Sequence, residues 1–504
     1  MIRGSRVLLL AAILCACVVG QAACGGGGSS HANSAIPVNL APPPVPLPTP
    51  TSSDWITFAH DDQRTGFQAS ADGLSAANVS QLALRWKSSV LNGEGVYASP
   101  VISGTNLIIV TLRGPAVVYD LSTDTGAVRW TYQVAGEVRG TPTIDPAADL
   151  LFVADRVIGA NQQPLPSFLY AIRLSTGALV WKRQLSGITH AGPLVAGGTV
   201  YQGTSGGDPP QCLNGGVTAF DELTGASKWT WDVNARTNPG GGGSVWGAIG
   251  FDGAHLIFGT GNTCGTGLLP TANGAAALDL NGNLVWSFVA QQDSYLDYDT
   301  GSSVMVSQGY ASFKNKNGIL YSMNATTGQL LRSTMIDPNY GYGEFPSPST
   351  DGSVTVIGYG LNPIVGPSTP RRPPQAFQEL EMRAHEVGER VEKHTRRNPF
   401  DVMPGFYSAL VALNSAGGVL WTHRMNSTLD GYAAIVNDVA FADNDSALTA
   451  FDLHTGAQLW TYSLPSLPAA SPAIVPSGVY AADGSGNVYA FALPGGAKRL
   501  TLKR

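Results

Sequence analysis

The cysteines and histidines are the side chains in this 504-residue chain with the most direct reach to redox or metal chemistry. Cys15, Cys17 and Cys24 fall in the N-terminal segment, which leaves Cys212 and Cys264 in the body. In an oxidising compartment such a pair is expected as a disulfide, the alternative being two free thiols. No Cys-x-x-Cys-His occurs, so no haem of the c type is attached. His60, His190 and His255 show no metal-ligand spacing and are expected on the surface or in loops. The formal charge is −6 with no basic field, which argues against nucleic acid as a partner.

These residues hang on a repeated element. LTAFDLHTGAQLW (448–460) reads as a strand, a tight turn at Thr455-Gly456 and a returning strand that reaches Trp460. Related stretches occur at 117–130, 169–181, 217–229, 275–286, 320–332, 410–421 and 488–500. Repetition at this spacing is the sign of four-stranded propeller blades. Each unit opens on a punctuator such as Ser99-Pro100, Thr141-Pro142, Gly192-Pro193, Ser347-Pro348 or Ser471-Pro472. The expected fold is all-β, an eight-bladed β-propeller. Leu82 to Val90 alternates like a strand yet has no hairpin before it, so it is expected to close the last blade. The tryptophan after each turn is expected to wedge between blades, where an aromatic buries a large area.

Residues 1–23 read as an export signal, with Arg3 and Arg6 ahead of the apolar run Val7 to Gly20. The Ala22-Ala23-Cys24 sequence resembles a bacterial lipoprotein signal, in which Cys24 would be lipidated, although Gln21 stands where Leu is usual. A soluble secreted protein cut nearby is the alternative. Residues 24–53 form a Gly/Ser/Pro-rich tether, flexible at first and stiffer through APPPVPLPTP. The propeller occupies 54–504. Within it, 366–405 is a charged insertion in which Phe377, Leu380, Ala384, Val387 and Val391 share one face of an expected helix.

The AxDxxTGxxxW hairpin, complete at Ala450, Asp452, Thr455, Gly456 and Trp460 and again from Ala219 to Trp229, resembles the pyrroloquinoline quinone (PQQ) propeller repeat. The opening DWITFAHDDQRTGF is also similar to these proteins. The family builds quinoprotein dehydrogenases and also the non-enzymatic lipoprotein scaffold of the outer-membrane β-barrel assembly machine. GGGGSVWGAIGFDGAHLIFGTGN (240–262) resembles the quinoprotein alcohol dehydrogenase stretch that places a flat tryptophan under PQQ and an asparagine on Ca²⁺. The resemblance therefore implies cofactor binding by Trp246 and Asn262, with Asn262 also a metal ligand. It implies Asp208 as the acidic Ca²⁺ ligand and Asp279 as catalytic base. Hard oxygen donors suit Ca²⁺, and an indole face suits a planar quinone. DYDTGSS (297–303) adds Asp297 and Asp299.

Departures accompany the resemblance. The family's vicinal cysteine pair is missing, and no haem domain follows. Two functions stay open: an alcohol-oxidising quinoprotein-like enzyme, or a propeller scaffold contacting protein partners through blade-rim loops. Both place the chain on the periplasmic side of a bacterial membrane, the outer one for a lipid-anchored form.

Overall fold

In the computed structural model, the described residues are 53–69, 73–158, 164–206, 215–234, 243–261, 270–290, 299–336, 346–361, 407–425, 431–444, 446–466 and 470–495. The expected signal, tether, insertion and disulfide, with Cys24, Cys212, Cys264, Asp208, Asn262 and Asp297, all lie outside them. So does the helix expected within 366–405; the described residues hold one 3-10 turn, Val79–Gln81, and no α-helix.

Eight antiparallel sheets of four strands surround an axis, as the repeats imply. Blade 1 holds Val101–Ser103, Asn106–Val110, Val117–Ser122 and Val128–Gln133, from the axis outward. The 448–460 hairpin supplies the third and outer strands of blade 7, Ala447–Asp452 and Gln458–Ser463. Its turn is built by side chains. Asp452 Oδ1 accepts the backbone N–H of Thr455 at 2.7 Å and its hydroxyl at 2.8 Å, and Gly456 takes a φ of +72°.

That glycine has a second reason to be there. A Cβ on Gly456 would lie 2.6 Å from Trp421 Cδ2, because the tryptophan of one blade lies on the turn of the next. Each such indole also donates its N–H to a backbone carbonyl of the following blade. Trp130 reaches Leu174, Trp181 reaches Glu222, Trp229 reaches Leu280, Trp286 reaches Ala325 and Trp421 reaches Leu453 at 2.8–3.0 Å. Blade 5 carries Arg332 instead, bonded to the Ser415 carbonyl. Burying such a ring is worth roughly 4 kcal/mol of apolar transfer.

The circle closes as expected. Ala83–Ser88 pairs antiparallel with Val488–Ala492 as the outer strand of blade 8. Trp460 donates to Leu82 O at 3.0 Å and Trp86 to Thr123 O at 2.9 Å, so blades 7, 8 and 1 are stitched by the same device.

The opening segment does more than lead in. Trp55 exchanges backbone hydrogen bonds with Ile102 of blade 1, and Ile56 O accepts Ile144 of blade 2. Asp62, Gln63, Thr65 and Gly66 carbonyls accept Phe251, Val306, Thr350 and Ile435 of blades 4 to 7. Gln68 Nε2 donates to Ile474 O of blade 8 at 3.0 Å. One stretch of chain thus satisfies inner-strand backbone in seven of the eight blades, where unpaired groups would be costly. Arg64, 1% exposed, donates from Nε to Ile249 O and from Nη1 to Thr57 Oγ1. His60, expected on the surface or in a loop, lies in this opening loop and is buried at 1% exposure against Trp55 and Asp61. A single-sequence reading has no signal for a loop swallowed by the axis.

Candidate functional site

Strand order in blade 4 decides what can meet. The chain passes Trp246 and enters the inner strand Gly250–Phe251. The second strand, His255–Thr260, returns to Gly261, and the third, Gly274–Asp279, leaves again, with Thr260 opposite Gly274 and His255 opposite Asp279. Trp246 and Gly261 therefore share one end of the blade, called the front here. Asp279 sits at the back.

This register corrects the expectation for Asp279. Its Oδ1 accepts the N–H groups of Asn281 and Asn283, both at 2.9 Å, and its Oδ2 accepts Asn283 Nδ2. The Asn283 side-chain bond, with the backbone bonds, holds the carboxyl below the ordinary aspartate value. It is the turn-building aspartate of every good repeat, like Asp452, and cannot reach the front.

At the front, the residues that begin the inner strands surround an axial cup. Its wall holds Ser99, Thr141, Gly192, Ala248 and Ser303, each from its own blade, and Phe58 from the opening segment. Neighbouring blades are tied here through hydroxyls. Ser99 N–H donates to Thr141 Oγ1, Ala248 N–H to Ser303 Oγ and Ser303 N–H to Ser347 Oγ, at 2.8–3.1 Å. The punctuators of the sequence are thus a front ring of small polar residues.

Two positions before each of these come the larger side chains of the cup: Tyr97, Arg139, His190 and Trp246, with Gly301 next in blade 5. Arg139 Nε lies 3.2 Å from Glu137 Oε1, and the Arg156 Nε lies 3.2 Å from the same oxygen. The terminal nitrogens of Arg139 meet no acceptor among the described residues, while its guanidinium lies over the Tyr97 ring at 5.9 Å. Arg156 Nη1 pairs with His190 Nε2. Burial, and then the charges of Arg156 and Arg139, push His190 well below the ordinary histidine pKa. The neutral ring accepts the arginine proton and packs edge-on against Trp246 at 4.5 Å and 84°.

Beside the cup, Asp299 Oδ1 lies 2.6 Å from Lys316 Nζ, with both side chains at most 7% exposed. Asp299 Oδ2 would be 3.3 Å from a Cβ on Gly261, the residue before Asn262. DYDTGSS thus delivers a carboxylate to the place where the fourth repeat ends its second strand. Thr300 N–H donates to Thr260 O, and Gly301 carries the same segment onto the cup wall.

Of the expected site residues, Trp246 stands in the cup and Asp279 at the opposite end. The sequence reading gave Arg139 and Lys316 no role and expected His190 only on the surface or in a loop. A usable signal existed, since Tyr97, Arg139, His190 and Trp246 each precede their strand-opening residue by two.

PQQ would fit this donor set in kind: an indole face, guanidinium terminal nitrogens that meet no acceptor among the described residues, and a ring of hydroxyls and glycines. A metal is another matter. Among the described residues no three His, Cys, Asp or Glu side chains are grouped to hold an ion, and Asp299 already engages Lys316. No step is therefore assigned to Ca²⁺.

A family model described as outer membrane protein assembly factor BamB matches residues 71–163, 148–271 and 402–503. The quinohemoprotein alcohol dehydrogenase of Comamonas testosteroni is 28% identical over 253 residues, covering 42% of this chain and 33% of that protein. The outer membrane protein assembly factor BamB of Moranella endobia is 24% identical over 258 residues, covering 49% of this chain and 60% of that one. The chain thus spans a third of the first relative and three fifths of the second. The crystal structure of the Comamonas testosteroni enzyme superposes with a TM-score of 0.66 at 19% identity, over 88% of this chain and 81% of that one.

Proposed function

Because the chain belongs to the PQQ-repeat β-propeller family, we propose that it is an exported quinoprotein-like oxidoreductase that binds a planar, carboxylated quinone of the PQQ type in the front cup. The observation that carries this reading is the indole of Trp246 in that cup, facing a ring of hydroxyls beside the fork of Arg139. The indole offers stacking area, and the guanidinium offers paired N–H donors to a carboxylate. PQQ bound there would supply a two-electron acceptor for alcohol oxidation. Asp299, whose Oδ1 lies 2.6 Å from Lys316 Nζ, is the carboxylate this reading assigns to accept the hydroxyl proton of the alcohol. His190, being neutral, adds no third cation beside Arg139 and Arg156.

Titrating the purified full-length protein with PQQ, with and without Ca²⁺, tests this by quenching of tryptophan emission and by dye-linked oxidation of short alcohols. Saturable quenching that is lost in Trp246→Ala is expected. Absence of saturable quenching in the wild type overturns the reading.

A scaffold role is the second reading. It is favoured by apolar side chains exposed along the outer strands of blades 4 to 6: Leu284, Val285, Leu330, Met335, Val419 and Leu420. Under it the chain is lipid-anchored at Cys24 on the periplasmic side of the outer membrane and meets protein partners through its rim. Cross-linking from position 285 or 420 in intact membranes tests it, and the absence of any cross-linked protein would sink it.

A further inference from the structure

We propose that His190 is the positioning residue for Trp246, holding the indole in the orientation that a flat ligand meets; the ligand part of this proposal rests on the quinone reading above. The outer-strand tryptophans show how this fold fixes an indole. Trp130, Trp181, Trp229, Trp286 and Trp421 each donate their N–H to a backbone carbonyl of the next blade, and Trp55 donates to Tyr432 Oη at 3.1 Å, while Trp231 packs edge-on against Phe258 at 5.5 Å. Trp246 has no such bond among the described residues. What it has is the His190 ring at 4.5 Å, nearly perpendicular.

His190 is itself held. Arg156 engages its Nε2, Glu137 Oε1 lies against the Arg156 Nε, and Glu137 and Arg156 exchange backbone hydrogen bonds at 3.0 and 2.8 Å. A chain of fixed groups therefore runs from blade 2 through His190 of blade 3 to Trp246 of blade 4. The backbone bridge and the ion pair anchor its start, and the ring contact transmits it. Aromatic pairs in this geometry are worth enough to select one rotamer of a side chain that lacks a hydrogen bond.

The test compares His190→Leu with His190→Phe, which differ in keeping an aromatic edge against the indole. The first readout is the Trp246 part of the near-ultraviolet circular dichroism of the ligand-free protein, taken as the difference between each protein and its Trp246→Phe counterpart. It should be strong in the wild type, largely retained in His190→Phe and near zero in His190→Leu. The second readout is PQQ affinity, expected to fall about two- to tenfold in His190→Leu and to be recovered in His190→Phe.

Equal Trp246 signals in the Leu and Phe variants overturn the proposal. If the signals behave as expected but the wild type takes no PQQ, the quinone reading fails and the positioning role stands. If PQQ binds but the signals ignore residue 190, the positioning role fails alone. Should His190→Leu not fold, Arg156→Gln supplies the comparison, and an unchanged Trp246 signal there also overturns the proposal.

Discussion

Two rings of side chains run round this propeller, and they obey opposite rules. In the outer ring, blade after blade carries a tryptophan that donates to the carbonyl of the next turn at 2.8–3.0 Å. Where blade 5 lacks it, Arg332 bonds the same part of blade 6. In the front ring, equivalent positions hold Tyr97, Arg139, His190, Trp246 and Gly301. The outer ring repeats because each blade faces an identical neighbour and the same bond closes each junction. The front ring faces the cup, so nothing in the fold asks its members to agree. Tryptophan therefore means packing in one ring and, under the proposed function, ligand contact in the other.

Breaking the outer ring should give the largest effect. Trp421→Ala leaves a cavity between blades 6 and 7 and orphans the Leu453 carbonyl. A loss of about 3–5 kcal/mol of stability is expected, seen as a large fall in the calorimetric melting temperature, with PQQ affinity unchanged in the protein that remains folded. A melting temperature within a degree of wild type would mean the ring does not hold the blades.

Next comes Asp299→Asn. It removes the carboxylate charge from beside the buried Lys316 ammonium and should cost about 3 kcal/mol, with alcohol oxidation abolished. Asp279→Asn, in an exposed turn, should cost under about 1 kcal/mol and leave oxidation intact. The pair decides between front and back carboxylates in one activity assay. Trp246→Ala is the inverse of the outer-ring variant, with stability within about 1 kcal/mol of wild type and PQQ binding weakened more than tenfold.

The outer ring was fully legible in the sequence. Thr455-Gly456 and Trp460 recur at fixed offsets, and a repeat that must pack against its own copies announces its partners. The closing strand was legible too, because Leu82 to Val90 had the pattern of an outer strand and no hairpin of its own. The front ring was legible only at Trp246, through resemblance. Arg139 and His190 share only their offset of two residues before the strand-opening position, and their meaning arises when the axis gathers blades far apart in sequence. Asp279 shows the converse hazard. A carboxylate in a matching motif looked catalytic, yet strand direction sends it to the wrong end. His60 was expected on the surface or in a loop and Arg64 was given no role, while in the fold both are buried and the carbonyls of the opening segment serve the inner strands of several blades.

The last prediction concerns Asp443, and it asks whether variation near the axis always has a local price in stability. Counting two residues on from the matched pairs Ile108, Phe152, Tyr480 and Phe441 gives Val110, Ala154, Ala482 and Asp443. Blade 7 alone of these four blades places a carboxyl there. It is 8% exposed, Oδ1 meets no partner among the described residues, and burial pushes its pKa up to about 8. Below about pH 4 the group is protonated whether the chain is folded or not. Between about pH 4 and 8 the unfolded chain releases the proton that the folded one keeps, so stability falls as pH rises, by at most about 1.4 kcal/mol per pH unit. Above that window this contribution is flat. Carboxyls held low by turn hydrogen bonds, such as Asp279, act in the opposite sense as the acid limit is approached. The net expectation is a melting temperature that declines from pH 5 to pH 8 in the wild type and declines less steeply in Asp443→Asn, where Asp62, Asp120 and Glu222, raised by burial to about 6, 6 and 7, still act in the same sense. Parallel pH curves for the two proteins would show that blade 7 tolerates its odd residue without cost, and that the freedom of the axial positions extends deeper than the cup.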